Sequence, residues 1–397
     1  MQAMKTLDKN LHQEGDPLKA GTILLMAIAA GITVANIYYN QPILKEMAVS
    51  LNASDAEIGR VSMFSQIGYG LGMFFLIPMG DMVNRKKLIL ILLGCLTAVL
   101  ILMVLSQGVV LVWILSLLIG ICSAPAQIIL PMAASLDKVN RGKTVGIVFS
   151  GILVGILGSR VISGFITDWF GWRYVYGISA VMVLIIGVLL KLYLPDVKHK
   201  FTGSYAELLK STLRLVTEHK ILRQSAILGA FTFGIFCSFW TTVTFYLSGP
   251  AFGFHADTIG LFGIVAIGGA LVAPYFGKLA DKGNTRRSLM ITVAMIICSL
   301  ILLKLLPLSV IAMVIAIFVL DIGVQATQIT NFARIYSLDE NSHSRLNTIY
   351  MTTYFIGGGI GTFFGLLCWK HGGWDLSIWQ MLLWSAIALG IVFFSKR

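Results

Sequence analysis

Long apolar runs separated by short polar breaks dominate the chain. A helix needs about 20 apolar residues to cross a bilayer core. The pattern supplies twelve such runs, at roughly 20–47, 56–79, 88–105, 109–135, 144–168, 173–194, 221–250, 257–280, 288–306, 308–336, 347–370 and 374–395. An open-ended segment in lipid satisfies its backbone only as a helix. The runs therefore predict an all-α integral membrane fold of twelve transmembrane helices. The sharpest breaks are Ser106-Gln107-Gly108, Pro307 and Gly372-Gly373. The longest polar connection, 195–220, carries Tyr205, Leu208, Leu209, Leu213 and Val216 at near-helical spacing among Lys210, Arg214 and Lys220. It predicts an amphipathic helix lying on the membrane surface.

Composition agrees with the pattern: 57 % of the 397 residues are hydrophobic, 12 % are charged, and mean hydropathy is +0.85. The net charge of +12 is not accompanied by a basic stripe with interleaved aromatics, which argues against a nucleic-acid partner. It reads instead as loop charge that sets membrane orientation. If the N-terminus is cytosolic, twenty-four of the 30 Lys and Arg residues face the cytosol and only Lys45, Arg60, Arg173, Lys304 and Lys370 face outward. That asymmetry predicts a multi-pass protein of a bacterial cytoplasmic membrane with both termini cytosolic. Trp169, Trp172, Trp369 and Trp374 fall at the outer span ends, where interfacial anchors are expected.

The five cysteines sit in apolar runs and the six histidines in polar loops or at segment ends, without metal-ligand spacing. There is no GxxxxGK[ST] phosphate loop. These features predict neither metal nor cofactor, no ATP-driven step and no enzyme active site.

The two halves repeat. Asp81 with Arg85-Lys86 recurs as Asp281 with Arg286-Arg287, Arg141-x-x-Thr144 as Arg345-x-x-Thr348, and Trp172 as Trp374, at offsets of 200, 204 and 202. A looser echo links Tyr39-x-Gln41-Pro42 to Tyr246-x-x-Gly249-Pro250. Six spans per half is an even number, so the repeats run parallel about an axis along the membrane normal. The expected organisation is a six-helix bundle over 1–194, a cytosolic linker over 195–220 and a second six-helix bundle over 221–397.

The segments 80–87 (Gly-Asp-Met-Val-Asn-Arg-Lys-Lys) and 277–287 (Gly-Lys-Leu-Ala-Asp-Lys-Gly-Asn-Thr-Arg-Arg) resemble the loop signature of the major facilitator superfamily, and the likeness extends over essentially the whole chain. Segments 36–42 and 344–351 resemble its bacterial 12-span drug:proton antiporter and sugar-efflux branch. The first loop departs from the signature at Ile77 and Asn84. Ser116, four residues before Gly120, stands where antiporters of this family often carry arginine. The resemblance implies two pseudo-symmetric bundles rocking about a central site lined by spans 1, 4, 7 and 10.

Two residues stand out on the sequence alone. Asp321 is the acidic residue deep inside a span and Arg160 the basic one. A charge at that depth costs roughly 2.5–3.5 kcal/mol on insertion scales. A carboxyl there can load and release a proton, while the guanidinium can pair with it or grip an anionic substrate; both can equally be structural. Gln325 and Gln328 share the face of Asp321, with Asn331 on its flank. Asn36, Tyr38, Tyr39, Asn40 and Gln41 crowd the end of span 1, with Asn36 and Asn40 read as sharing one face. Gln127, Trp240, Thr241 and Thr244 are further candidates for substrate contact. Asp81, Arg85, Lys86 and Arg345, with Asp281, Arg286 and Arg141, are expected to form cytosolic latches, as the resemblance implies.

The function expected is secondary transport of a small organic molecule, exported in exchange for protons, by a monomer. Proton-coupled uptake, facilitated diffusion and a non-transporting membrane sensor are the alternatives.

Overall fold

The computed structural model describes residues 18–137, 140–196, 204–266, 268, 285–339 and 342–394, with the side chain of Asp81 excepted. Among the described residues the regular structure is helical, without strands. The helices are α1 (Ala20–Ala35), α2 (Leu44–Ser50), α3 (Asp55–Met82), α4 (Arg85–Leu105), α5 (Val109–Cys122), α6 (Pro125–Leu136), α7 (Arg141–Phe170), α8 (Trp172–Tyr193), α9 (Tyr205–Glu218), α10 (Lys220–Ser248), α11 (Ala256–Ala266), α12 (Thr285–Leu305), α13 (Val310–Tyr336) and α14 (His343–Phe394). Nine described helices are long and apolar enough to cross a membrane, with α5 and α6 together making one of them. α14 breaks at Gly372 and Gly373, where φ reaches +59° at Gly373. The second half of span 8 lies outside the described residues.

The outer surface is apolar, as a lipid solvent requires: Leu24, Ile91, Val154, Leu184, Ile311 and Leu383 are all exposed. Inside, helices meet backbone to backbone through glycines. A Cβ on Gly155 would lie 2.2 Å from the Gly31 carbonyl oxygen, which fixes the α1–α7 crossing. A Cβ on Gly361 would lie 2.1 Å from the Gly234 carbonyl oxygen, which fixes the α10–α14 crossing. These two crossings occupy equivalent places in the two halves, so the duplication is visible in the packing. Small residues serve this purpose because apolar helices in lipid gain little from the hydrophobic effect and associate through close van der Waals contact.

Arg85, Arg141, Arg223, Arg286 and Arg345 lie at the starts of α4, α7, α10, α12 and α14, which the alternating helix directions bring to one end of the bundle, here the basic end. At the opposite end the halves touch. Trp369 Nε1 donates to Asp55 Oδ2 at 3.3 Å, Leu366 fills the space beside Gly59, and Gly164 packs against the Ala256 carbonyl. At the basic end a cavity of about 510 Å³ separates α3, α6 and α7 from α13 and α14.

Three details differ from the sequence reading. First, span 1 is not one helix. α1 stops at Ala35, residues 36–40 turn mostly with i→i+3 bonds, and Gln41–Ile43 form a 3₁₀ turn before α2. Pro42 cannot donate a backbone bond, so an unbroken ladder is impossible there. Span 4 breaks likewise before Pro125, between α5 and α6. Second, Trp172 and Trp374 are not interfacial anchors. Each follows a glycine of positive φ (Gly171, Gly373) and turns inward, leaving it 3 % and 8 % exposed. Trp374 stacks on Tyr246 at 4.5 Å. Third, α9 turns its stripe of Leu208, Thr212 and Leu215 inward, packs against α3, α10 and α14, and donates from Tyr205 Oη to the Phe75 carbonyl at 2.7 Å.

Candidate functional site

The break in span 1 sets the geometry of the centre. Tightening from 3.6 toward 3 residues per turn rotates Asn36 and Asn40 apart, so they do not share a face. Asn36 accepts from Ser179 of α8 at 2.7 Å and donates to the Ile32 carbonyl at 2.9 Å. Asn40 accepts from Ser62 of α3 and donates to the Ile37 carbonyl at 2.9 Å. Both amides are spent on holding helices together. Tyr39 is buried near Ser179.

Gln41, at the start of the 3₁₀ turn, faces the other way. Its Oε1 accepts from Arg160 Nε at 2.7 Å. Its backbone carbonyl accepts from Thr244 Oγ1 of α10 at 2.8 Å, a bond between the two halves. Its Nε2 has no partner.

Arg160 is fully buried on α7. α11 lies so close that a Cβ on Gly263 would sit 3.1 Å from the Arg160 Cβ, which confines the stem of the side chain. The guanidinium carbon stands 4.3 Å from the centre of the Trp240 ring, 5.3 Å from Tyr38 and 5.5 Å from Phe236. Aromatic faces attract a cation at these distances, so three rings hold the head group. Its Nη1 and Nη2 nevertheless have no hydrogen-bond partner.

Asp321, on α13, is 1 % exposed, and its Oδ2 also has no partner. The two charges do not contact each other, yet each lies within the other's electrostatic reach. Buried polar atoms are nearly always bonded. Here unpartnered donors and an unpartnered acceptor of opposite charge come from opposite halves. Tyr354 of α14 lies within reach of Asp321, and Cys237 of α10 within reach of Arg160.

The remaining candidates divide. Gln325 is half-buried, without a described hydrogen bond, one turn from Asp321. Gln328 reaches Met351 Sδ at 3.7 Å. Asn331 ties α13 to the Ser225 carbonyl at 3.3 Å and the Tyr350 hydroxyl at 3.4 Å, a helix-joining role. Thr241 is buried with its hydroxyl unpartnered. Gln127 lines the cavity at the basic end, together with Arg141, Tyr336, His343 and Asn347.

Several cations expected in the latches are seated within their own halves. Arg85 Nε donates to the Gly80 carbonyl at 3.0 Å and Lys86 Nζ to the Leu194 carbonyl at 2.5 Å. Arg286 bonds to the Phe393 carbonyl, and Arg345 Nη2 donates to Ser342 Oγ at 2.7 Å. Asp281 and the side chain of Asp81 lie outside the described residues.

Two features escaped the sequence reading. Phe236 and Tyr354 were hidden in apolar runs; the i, i+4 spacing of Phe236 and Trp240 was the available signal. Asp137, 1 % exposed, accepts from Thr144 Oγ1 at 2.7 Å and from the Asn140 backbone at 2.9 Å. Asp339 accepts from Ser342 at the matching place in the second half. The paired Asp137-x-x-Asn140 and Asp339-x-x-Ser342 could have revealed them.

The profile of the Major Facilitator Superfamily matches residues 26–362. The chain is 36 % identical over 358 residues to the putative uncharacterized transporter YgaY of Escherichia coli (strain K12), spanning 90 % of this chain and 91 % of that protein. It is 25 % identical over 372 residues to a probable transporter of Streptomyces coelicolor, spanning 92 % and 86 %. Among solved structures, a bacterial homolog of the human lysosomal transporter Spinster, inward-facing and occupied, superposes with a TM-score of 0.75 at 14 % identity, covering 96 % of this chain and 97 % of that one.

Proposed function

Because the chain belongs to the Major Facilitator Superfamily, we propose that this membrane transporter works as a proton-coupled secondary carrier of a small organic molecule in a bacterial cytoplasmic membrane. The halves 1–194 and 221–397, joined by 195–220, rock about the Arg160–Asp321 centre. The observation that carries this reading is the pair of buried, unpartnered, opposite charges, one from each half. Asp321 carries the proton. Arg160, Gln41, Tyr38, Trp240 and Gln325 face the cargo. The contacts at the opposite end and the cavity at the basic end correspond to a state open to the cytosol, with the termini on that side. On closure, Asp81 approaches the start of span 11 and Asp281 the start of span 5, where Arg345 and Arg141 wait. The carrier acts as a monomer, without ATP.

Direction depends on how cargo and proton share the centre. Export by exchange, the expectation from the sequence, requires that they compete; uptake requires that they bind together.

The test begins with ligand-induced thermal stabilisation over a metabolite and drug panel at two pH values, followed by flux of the hit in proteoliposomes. Asp321→Asn is expected to keep counterflow and lose pH-driven accumulation. Equal pH-driven flux in variant and parent would remove the proton role.

A further inference from the structure

The charge count at the centre restricts what it accepts. In a site shielded from water, an uncompensated charge is costly. With Asp321 ionised, Arg160 and Asp321 together are neutral. Adding a cation leaves a net positive charge among Trp240, Tyr38 and Phe236, whose faces the guanidinium already occupies. Adding an anion leaves a net negative charge unless Asp321 takes a proton; then anion, guanidinium and neutral carboxyl balance. The hydrogen bonds agree. Nη1 and Nη2 offer two donors on one planar head, the pattern that a carboxylate accepts in bidentate fashion. The Nε that completes the fork is already bound to Gln41, which fixes the plane of the guanidinium.

Arg141 places a positive charge on the cavity at the basic end. Arg141, exposed, and His343 line the cavity at the basic end, which has no acidic residue in its described lining. Among the described residues, the other titratable or charged groups facing the centre are Tyr38 from the span 1 turn, Cys237 from α10 and Tyr354 from α14. α12 packs along α13, but its charged residues Arg286, Arg287 and Lys304 stand near its two ends. Asp321 is thus the described carboxylate at the centre that can take up a proton as the anion arrives.

We propose that the cargo is a small organic acid, bound through its carboxylate to Nη1 and Nη2 of Arg160, and that a proton on Asp321 travels with it in the same direction. This rests on the transport reading above and selects joint occupancy, hence uptake down the proton gradient. No bond is made or broken beyond the proton moving on and off the Asp321 carboxyl.

The experiment uses the full-length purified protein and three probes of one shape: benzoate, benzyl alcohol and benzylamine, with acetate and succinate as further carboxylates. Binding is followed by thermal stabilisation and by proton uptake in weakly buffered solution at pH 6 to 8, where benzoate stays ionised. A carboxylate is expected to stabilise the protein, with binding that strengthens at lower pH and takes up to one proton per site. Arg160→Gln is expected to weaken that binding by roughly tenfold or more, as loss of a charge-assisted pair does. Arg160→Lys, which keeps the charge, guards against a folding defect and should recover part of the affinity. Asp321→Asn should bind the anion without proton uptake. Preference for benzylamine or benzyl alcohol, or no response to any carboxylate, overturns the cargo class while leaving the proton role of Asp321 to its own flux test. Carboxylate binding without proton uptake in the parent protein overturns the linkage.

Discussion

Arg160 Nε donates to Gln41 Oε1 at 2.7 Å, joining the middle of α7 to the point where span 1 unwinds. The same glutamine accepts from Thr244 across the interface between halves. One residue at a helix break therefore orients the buried cation and bonds to α10 of the other half.

Gln41→Ala removes the described hydrogen bond of the guanidinium. Stripping one partner from a buried charged group costs about 1–3 kcal/mol. The expected outcome is a lower unfolding midpoint together with loss of ligand stabilisation. Gln41→Glu should retain more stability than alanine, because it keeps an acceptor in place. Equal midpoints for parent and alanine variant would show that Arg160 is held by its aromatic walls alone.

Thr244→Val keeps the shape of the side chain and deletes its bond to the Gln41 carbonyl. The bond is worth about 1 kcal/mol, enough to change a two-state population about fivefold. Leu366, buried beside Gly59 where the halves touch, reports the change. A cysteine introduced at Leu366 in a background without the native cysteines should label faster when Thr244 is valine.

Glycines in α7 should split into two kinds. A Cβ at Gly155 meets the Gly31 backbone at 2.2 Å, whereas one at Gly158 meets nothing within 4 Å. Gly155→Ala should therefore destabilise by about 1–3 kcal/mol through overpacking. Gly158→Ala should be neutral or stabilise by up to about 1 kcal/mol through helix propensity. Thermal unfolding in detergent distinguishes them.

The connecting helix α9 opens with a capping box in which Ser204 and Glu207 satisfy each other's backbone donors. Ser204→Ala should cost about 1 kcal/mol of local helix stability. Amide hydrogen exchange should accelerate in the first turn of Tyr205–Glu218, while the membrane helices keep their protection.

Much of the architecture could be read in the chain itself because lipid leaves few choices. Apolar runs of that length have to be helices, and the breaks at Gly372-Gly373 and Pro307 fall at residues that favour a helix end. Asp321 and Arg160 stood out for the same reason: a charge inside an apolar run needs a partner or a purpose. Asn36 and Asn40 were less legible. Helical spacing puts them on one face, but the segment tightens after Ala35 and each amide meets a different neighbour. Trp172 and Trp374 misled because position along a span says how deep a residue lies, not which way it faces.

Sequence alone thus determined that the long apolar runs are helices and which two charges are buried, since both follow from hydropathy and spacing. Only the tertiary structure decided that Gln41 fixes Arg160, that Trp240, Tyr38 and Phe236 surround it, and that Asp321 stays out of its direct contact. Those relations depend on the rotation of helices about their axes, which is set by glycine crossings and helix breaks between segments far apart in the chain.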